Sequence, residues 1–386
     1  MGFLFMKRIL LLGASGSIGQ QTLDVISSYP NDFSLVAFSV GEKVDVISKI
    51  LRIHPEVKHV CIKHKEYIDI LKKQFPKIAF FGGDKGLVKI IRKVDCDLVV
   101  NALVGFAGFP PTIAALKKKR TICLANKESL VVGGEIINKL LKKGFGKIFP
   151  IDSEHVAIAK CLSHTERSQI DKIILTASGG AFRDLTEEEM AHVTPQDALK
   201  HPTWQMGAKI TIDSATMMNK GFEIIEAYYL FGFSLDRIEV LMHDESYVHS
   251  LVKLKNNSYL AEVSKPDMRT PITYALFEGK NQYEVVSAKT IELLGPYHFH
   301  QFVSEKYPCV SLAKEALVKG GTALSVLNAS NEVAVSAFLE NRLPFLMISE
   351  IIEKEINYVK VRKQTIRNVI QADKKTRLHF RKVLGN

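Results

Sequence analysis

The stretch that most limits what this chain can fold into lies near its start. Ile9-Leu10-Leu11-Leu12 feeds without a spacer into Gly13-Ala14-Ser15-Gly16-Ser17-Ile18-Gly19, and an amphipathic stretch follows at once. A short apolar run closed by glycine reads as a buried strand, and residues 18–28 read as a helix. Glycine allows the tight turn between them and a close approach of backbone to a pyrophosphate. The N–H groups and positive dipole end of the helix then face the anion. The spacing is G-x-x-G-x-x-G and not the plain G-x-G-x-x-G. The strand before it and the helix after it therefore carry the reading of a dinucleotide turn; a purely structural turn would use the same glycines.

The rhythm continues through the first 150 residues. Strands are expected at 8–12, 34–40, 58–62, 98–103 and 121–124, with helices at 18–28, 44–53, 111–118 and 133–143. Alternation of this kind predicts an α/β unit with a doubly wound, Rossmann-like parallel sheet. At about 150 residues per domain, 386 residues leave room for two or three domains. Beyond 150 the pattern changes. A strand at 147–151 ends in an acidic turn, a helix is expected at 155–162, and strands at 173–176, 237–243, 246–254, 258–263 and 284–287 suggest an antiparallel or mixed sheet. Helical periodicity takes over from 305, at 310–319, 323–328, 331–341, 345–360 and 372–384. The expected organisation is a nucleotide-binding domain over 1–150, an α+β catalytic domain over 151–304, and a small helical C-terminal domain over 305–386.

Composition removes other classes. Hydrophobic residues at 46% and charged residues at 24% fit a folded globular chain and not a disordered one. No apolar run approaches the 18 or so residues of a membrane span, and the apolar start reads as a first strand and not a signal peptide. The cysteines, Cys61, Cys96, Cys123, Cys161 and Cys309, are scattered and form no C-x-x-C pair. They read as packing residues of a protein in a reducing cytoplasm. The net charge of +11 comes from short lysine runs such as Lys117-Lys118-Lys119, with no basic stripe among aromatics. That pattern points to a solvated surface with some attraction for small phosphorylated ligands, and away from nucleic acid or membrane partners.

Four polar groupings offer chemistry. Gly41-Glu42-Lys43 closes the second strand, where an acid holds a ribose 2′-OH and a cation a 2′-phosphate; both are present, so the choice between NAD and NADP stays open. Asp152 and Glu154 sit two apart at a strand end, where extended geometry would aim both at one side. Two carboxylates there suit a hard divalent cation, or an ordinary solvated turn. In Asp213-Ser214-Ala-Thr-Met-Met-Asn219-Lys220-Gly-Phe-Glu223, helical spacing puts Asn219, Lys220 and Glu223 on one face. A surface ion pair has the same spacing. Ala125-Asn126-Lys127-Glu128 follows a parallel strand, Ala177-Ser178-Gly179-Gly180 could cradle an anion, and His201-Pro-Thr-Trp204-Gln-Met206-Gly207 suggests a lid.

Taken in order, GASGSIGQQTLDV, LANKESLV, PIDSEHVAI, TASGGAFR, HPTWQMGAKITIDSATMMNKGFEIIEA, PDMRTPI and LNASNEVAV closely resemble the 1-deoxy-D-xylulose 5-phosphate reductoisomerases over nearly the whole chain. The resemblance implies an NADPH- and divalent-metal-dependent enzyme using Mg²⁺ or Mn²⁺. It implies rearrangement of a phosphorylated sugar by retro-aldol cleavage and re-addition, then hydride reduction to 2-C-methyl-D-erythritol 4-phosphate, within a homodimer. By matching motifs, Asp152, Glu154 and Glu223 are the implied metal ligands, and with Lys127 the implied catalytic set. Ser153, Ser178, His201, Ser214, Asn219 and Lys220 join Lys127, Glu154 and Glu223 as implied substrate contacts. Ser15, Gly16, Ser17, Ile18, Gly41, Lys43, Asn126, Glu128 and Gly207 are the implied cofactor contacts, and Trp204 and Met206 a flap near 200–210. The chain departs from the family pattern at Val156, usually Asn, and at Glu42, which would repel a 2′-phosphate and weaken NADPH binding. A paralogue with altered substrate and a non-catalytic cofactor-binding protein are the competing readings.

Overall fold

The computed structural model describes residues 6–200, 206–280 and 296–383. The expected strand at 284–287, and His201 and Trp204, lie outside the described residues. The chain forms two compact units. One holds residues 1–126, 137–152 and 267–289; the other holds 127–136, 153–266 and 290–386.

The first unit is built on seven strands: β1 (Lys7–Leu12), β2 (Phe33–Val40), β3 (His59–Ile62), β4 (Ala79–Gly82), β5 (Leu98–Asn101), β6 (Thr121–Leu124) and β7 (Lys147–Pro150). Their order is β4-β3-β2-β1-β5-β6-β7, and every pairing is parallel. The order reverses between β1 and β5, which is where open α/β sheets bind ligands at the strands' carboxyl ends. Ile9 through Leu12 and Leu98 through Val100 are buried because a parallel sheet is covered on both faces. Strand β4 and the helices Ile68–Gln74 and Gly83–Lys93 fill a stretch where periodicity gave no expectation. Another addition comes from far along the chain. The helix Arg269–Leu276 sends Ile272, Ala275 and Leu276 into the same core as Ile9, Leu35 and Phe38.

In the second unit, strands β8 (Ile170–Ala177), β9 (Ile238–His243), β10 (Val248–Leu254), β11 (Tyr259–Val263) and β12 (Phe299–Gln301) form a sheet in the order β11-β10-β8-β9-β12. Only β8 and β9 run parallel, so the sheet is mixed. Helices Pro308–Lys319, Ala323–Leu339, Met347–Tyr358 and Ile366–Val383 make the helical part, with Leu324, Leu327, Phe338, Ile348, Ile352 and Phe380 in its core. Sequence spacing broke the second of these at 329–330. The structure runs straight through, because buried Ser330 returns its hydroxyl to the Val326 carbonyl (2.8 Å) and so needs no outside partner.

Candidate active site

In the first unit the glycine turn is built as its spacing suggests. Gly13 has φ +86°, and a Cβ there would lie 2.5 Å from the Ala102 carbonyl oxygen, so no other residue fits. The Gly16 N–H donates to Gly13 O (3.0 Å), closing the turn. The helix Ser17–Ser28 begins at Gly16 with no side chain capping it and no acid in its first turn. That leaves an N-terminus suited to a pyrophosphate. The turn is tied to β2: the N–H groups of Gly13 and Ala14 donate to Ser39 Oγ (2.9 Å) and Ser39 O (2.8 Å), and Gly41 N–H donates to Ser15 Oγ (3.2 Å). Ser15 of the turn thus lies beside Gly41, and Lys43, two residues further on, is exposed. Asn126, after β6, donates its amide to the carbonyls of Leu103 and Gly105, both at 2.9 Å, fixing the loop that follows β5.

The second unit carries Glu154 and Glu223. Glu154 stands in the first turn of the helix Ser153–Ser163, not on an extended strand. The expected strand-end alternation is therefore wrong here: β7 stops at Pro150, and the chain turns into helix within three residues. Asp152, the residue at which the chain enters this unit, still reaches the same place. Asp152, Glu154 and Glu223 each offer a carboxylate oxygen, all within 4.8 Å of one another. His155 is buried, with Nε2 against the Glu223 carbonyl oxygen (3.0 Å).

Glu223 lies on the helix Met218–Phe231, which starts after a left-handed residue, Met217 (φ +58°). A non-glycine residue there costs roughly 1–2 kcal/mol, and it breaks the chain sharply between two helices. The break sets Asn219 and Lys220 in the first turn of the second helix, one turn before Glu223. Lys127 Nζ donates to Asn219 Oδ1 (2.8 Å) and pairs with Glu223 Oε1 (3.0 Å). Lys220 Nζ pairs with Glu154 Oε1 (2.9 Å) and with the other Glu223 oxygen, and Ser153 Oγ donates to Glu154 Oε2 (2.5 Å). Lys127, Lys220 and Glu223 are all buried. Burial alone would lower the Lys220 pKa, but Glu154 and Glu223 outweigh it and raise the pKa above its usual value. Isolated charges would not survive such burial; they persist because they pair.

Gly180, two residues after Ser178, packs its backbone against that of Ser214. It has φ +70°, and a Cβ there would lie 2.5 Å from the Ser214 carbonyl oxygen. A further network adjoins. Lys209 Nζ, half-buried, pairs with Asp213 Oδ2 (2.7 Å) and Glu128 Oε1 (2.8 Å), and Asn331 Nδ2 donates to Asp213 Oδ1 (2.8 Å). Gly207 caps the helix Ala208–Ala215 that carries Lys209. Sequence reasoning gave Lys209, Asn331 and His155 no role. The one available signal was the four-residue spacing of Lys209 and Asp213 in an otherwise buried helix.

A parallel sheet with a dinucleotide turn, and a carboxylate triad interleaved with buried lysines, define a metal- and dinucleotide-dependent oxidoreductase. Comparison with known proteins agrees. Residues 9–134 match the family model for 1-deoxy-D-xylulose 5-phosphate reductoisomerase, and 148–231 and 263–379 match the models for its C-terminal domains. The chain belongs to the 1-deoxy-D-xylulose 5-phosphate reductoisomerase family. It is 44% identical over 380 residues to 1-deoxy-D-xylulose 5-phosphate reductoisomerase 2 of Bacillus thuringiensis subsp. konkukian, covering 96% of this chain and 98% of that one. It is also 44% identical to the reductoisomerase of Geobacillus kaustophilus, covering 98% and 100%. Among solved structures, the Zymomonas mobilis reductoisomerase in complex with NADPH is 35% identical with a TM-score of 0.89, covering 99% and 100%. A DOX-P reductoisomerase in complex with NADPH, fosmidomycin and magnesium is 34% identical with a TM-score of 0.91, covering 98% of both chains.

Proposed function

We propose that this chain converts 1-deoxy-D-xylulose 5-phosphate to 2-C-methyl-D-erythritol 4-phosphate with NADPH and Mg²⁺ or Mn²⁺, a step in non-mevalonate isoprenoid precursor synthesis. The observation that carries this reading is the buried set of Asp152, Glu154 and Glu223 with Lys127 and Lys220. Three carboxylates are an all-oxygen donor set, which suits a hard divalent cation. The uncapped glycine-turn helix suits the cofactor's pyrophosphate.

When bound, the metal supplies Lewis-acid polarisation of substrate oxygens, and NADPH supplies the hydride. Asp152, Glu154 and Glu223 would hold the metal. Lys127, fixed by Asn219 and Glu223, presents positive charge to oxygen that becomes negative as the carbon skeleton rearranges. Ser153 positions the Glu154 carboxylate and meets a substrate hydroxyl. Ser178, Ser214, Asn219 and Lys220, with His201, form the phosphate pocket. The phosphate is remote from the reacting carbons, so its binding free energy serves to orient substrate and exclude water. Ser15, Gly16, Ser17, Ile18, Gly41, Lys43, Asn126, Glu128 and Gly207 take the cofactor, and Met206 belongs to the flap. Residues 1–150 act as the NADPH-binding part, 151–304 as the catalytic and dimerising part, and 305–386 as a helical buttress. The protein works as a cytoplasmic homodimer; none of the described helices is long and apolar enough to cross a membrane.

The test is NADPH consumption by purified protein with 1-deoxy-D-xylulose 5-phosphate and Mg²⁺ or Mn²⁺, beside EDTA and Glu223→Gln controls. Turnover that needs both substrate and metal, and that disappears in the controls, is expected. Metal-independent oxidation of NADPH would sink the proposal.

A further inference from the structure

The glycine turn leads to a group of charges that the sequence left ambiguous. Glu42 follows Gly41 at the carboxyl end of β2. Lys63 and His64 follow Ile62 at the carboxyl end of the neighbouring parallel strand β3. The structure joins them: Glu42 Oε1 pairs with Lys63 Nζ, and Glu42 Oε2 lies 2.5 Å from His64 Nε2. His64 Nδ1 also lies 3.3 Å from Glu66 Oε1. Lys43 is exposed next to Glu42. Gly41, immediately before Glu42, is bonded to Ser15 of the phosphate-binding turn. The cluster therefore stands at the end of the second strand, where dinucleotide folds read the adenosine ribose.

The Glu42 side chain is 64% exposed and Lys63 is 59% exposed. Exposed pairs of this kind contribute little to folding stability, so stability does not explain why Lys63 and the His64 ring converge on Glu42 here. A lone acid at this position would hydrogen-bond a 2′-OH and disfavour a 2′-phosphate. Glu42 is not alone. Both of its oxygens are engaged by basic side chains, and its pKa is held below the usual carboxylate value by Lys63 first and His64 second. The expected repulsion of a 2′-phosphate is thereby offset, and the acid acts on the cations instead.

We infer that Lys63 and His64, held in place by Glu42, are the residues of this chain that recognise the 2′-phosphate of NADPH, with Lys43 beside them. Glu42 is then a positioning residue that supports NADPH selectivity and does not oppose it. The inference rests on the cofactor reading above and deepens it.

The experiment is equilibrium binding of NADPH and NADH by cofactor fluorescence to the full chain without substrate. The parent would be compared with Lys63→Met, His64→Asn and Glu42→Gln. Loss of one charge-assisted hydrogen bond should weaken NADPH binding by about tenfold or more in Lys63→Met, and less in His64→Asn, with NADH unchanged. Glu42→Gln should weaken NADPH binding, because the anchor is lost. Unchanged or tighter NADPH binding in Glu42→Gln, or equal effects on NADPH and NADH in Lys63→Met, would overturn the inference. A parent protein that binds neither nucleotide would instead reject the cofactor reading itself. Circular dichroism of the variants separates a binding defect from a folding one, and these exposed positions should not alter it.

Discussion

Gly180 and Lys127 show how single residues decide the site. Gly180 combines φ +70° with backbone contact against Ser214, so Gly180→Ala meets both a forbidden conformation and a clash. It should destabilise the protein by at least about 1–2 kcal/mol in urea unfolding and raise the substrate KM, because the 178–180 segment that carries Ser178 would be pushed off Ser214. An unchanged KM would mean that these two serines do not share the phosphate. Lys127 is the cation held between Asn219 and Glu223. If it meets oxyanion charge in the transition state, Lys127→Met should lower kcat by about 10²–10³-fold with a much smaller change in KM. A pure KM effect would assign it to ground-state binding. Lys127 and Lys220 also bear on metal removal. They already neutralise Glu154 and Glu223, so EDTA should abolish turnover while shifting the melting midpoint only slightly. A collapse of the fold in EDTA would show that the lysines do not serve as counter-ions.

At the scale of elements, the Lys209 network ties three helices of the second unit. Lys209 and Asp213 sit on Ala208–Ala215, Glu128 on Lys127–Lys142, and Asn331 on Ala323–Leu339. Lys209→Met leaves two buried carboxylates without their cation, which typically costs about 3–5 kcal/mol; chemical unfolding would measure it. Burial alone would raise the Glu128 pKa, but Lys209 outweighs it and holds the pKa below its usual value. A carboxylate with a depressed folded-state pKa adds stability that is full above its unfolded value of about 4.3. That stability is lost as the pH falls through the depressed value. Acid unfolding of Glu128→Gln should therefore depend less steeply on pH below about 4.3 than that of the parent. Parallel curves for the two proteins would contradict the assigned pairing. The same scale shows where spacing misled. Asp152 and Glu154 read as strand-end neighbours, yet Glu154 is helical. Period-two alternation and a helix start leave the same trace over three residues, so only the tertiary chain path separates them.

For the molecule as a whole, the main lesson concerns residues 267–289, which join the unit formed by the first 126 residues. Ile272 and Leu276 are fully buried there among Ile9, Leu35 and Phe38. Burying two such side chains contributes roughly 1.5–3 kcal/mol each. A fragment ending at residue 152 should therefore lose sharp near-ultraviolet dichroism and unfold at lower urea than one carrying 267–289 on a flexible linker. Equal stability of the two fragments would make that helix an accessory. The helix Lys127–Lys142 itself passes from one unit into the other, with non-helical backbone at Gly133 (φ −134°) inside it.

The chain's own letters determined the dinucleotide turn, the alternating strands and helices, a second sheet of antiparallel or mixed type, and the family. Each depends on local periodicity, or on residues such as Gly13 whose backbone geometry admits one side chain. The resemblance also singled out Asp152, Glu154, Glu223, Lys127 and Lys220, which the structure brings together. What tertiary structure alone decided is how they pair: that Lys127 shares Glu223 with Lys220, that Lys209 lies between Glu128 and Asp213, and that Glu42 holds Lys63 and His64. Those partners are 3 to 96 residues apart, and most such separations leave no periodic trace. Which charges meet, and whether water is removed from around them as it is for Lys127, Lys220 and Glu223, is a property of the packed chain.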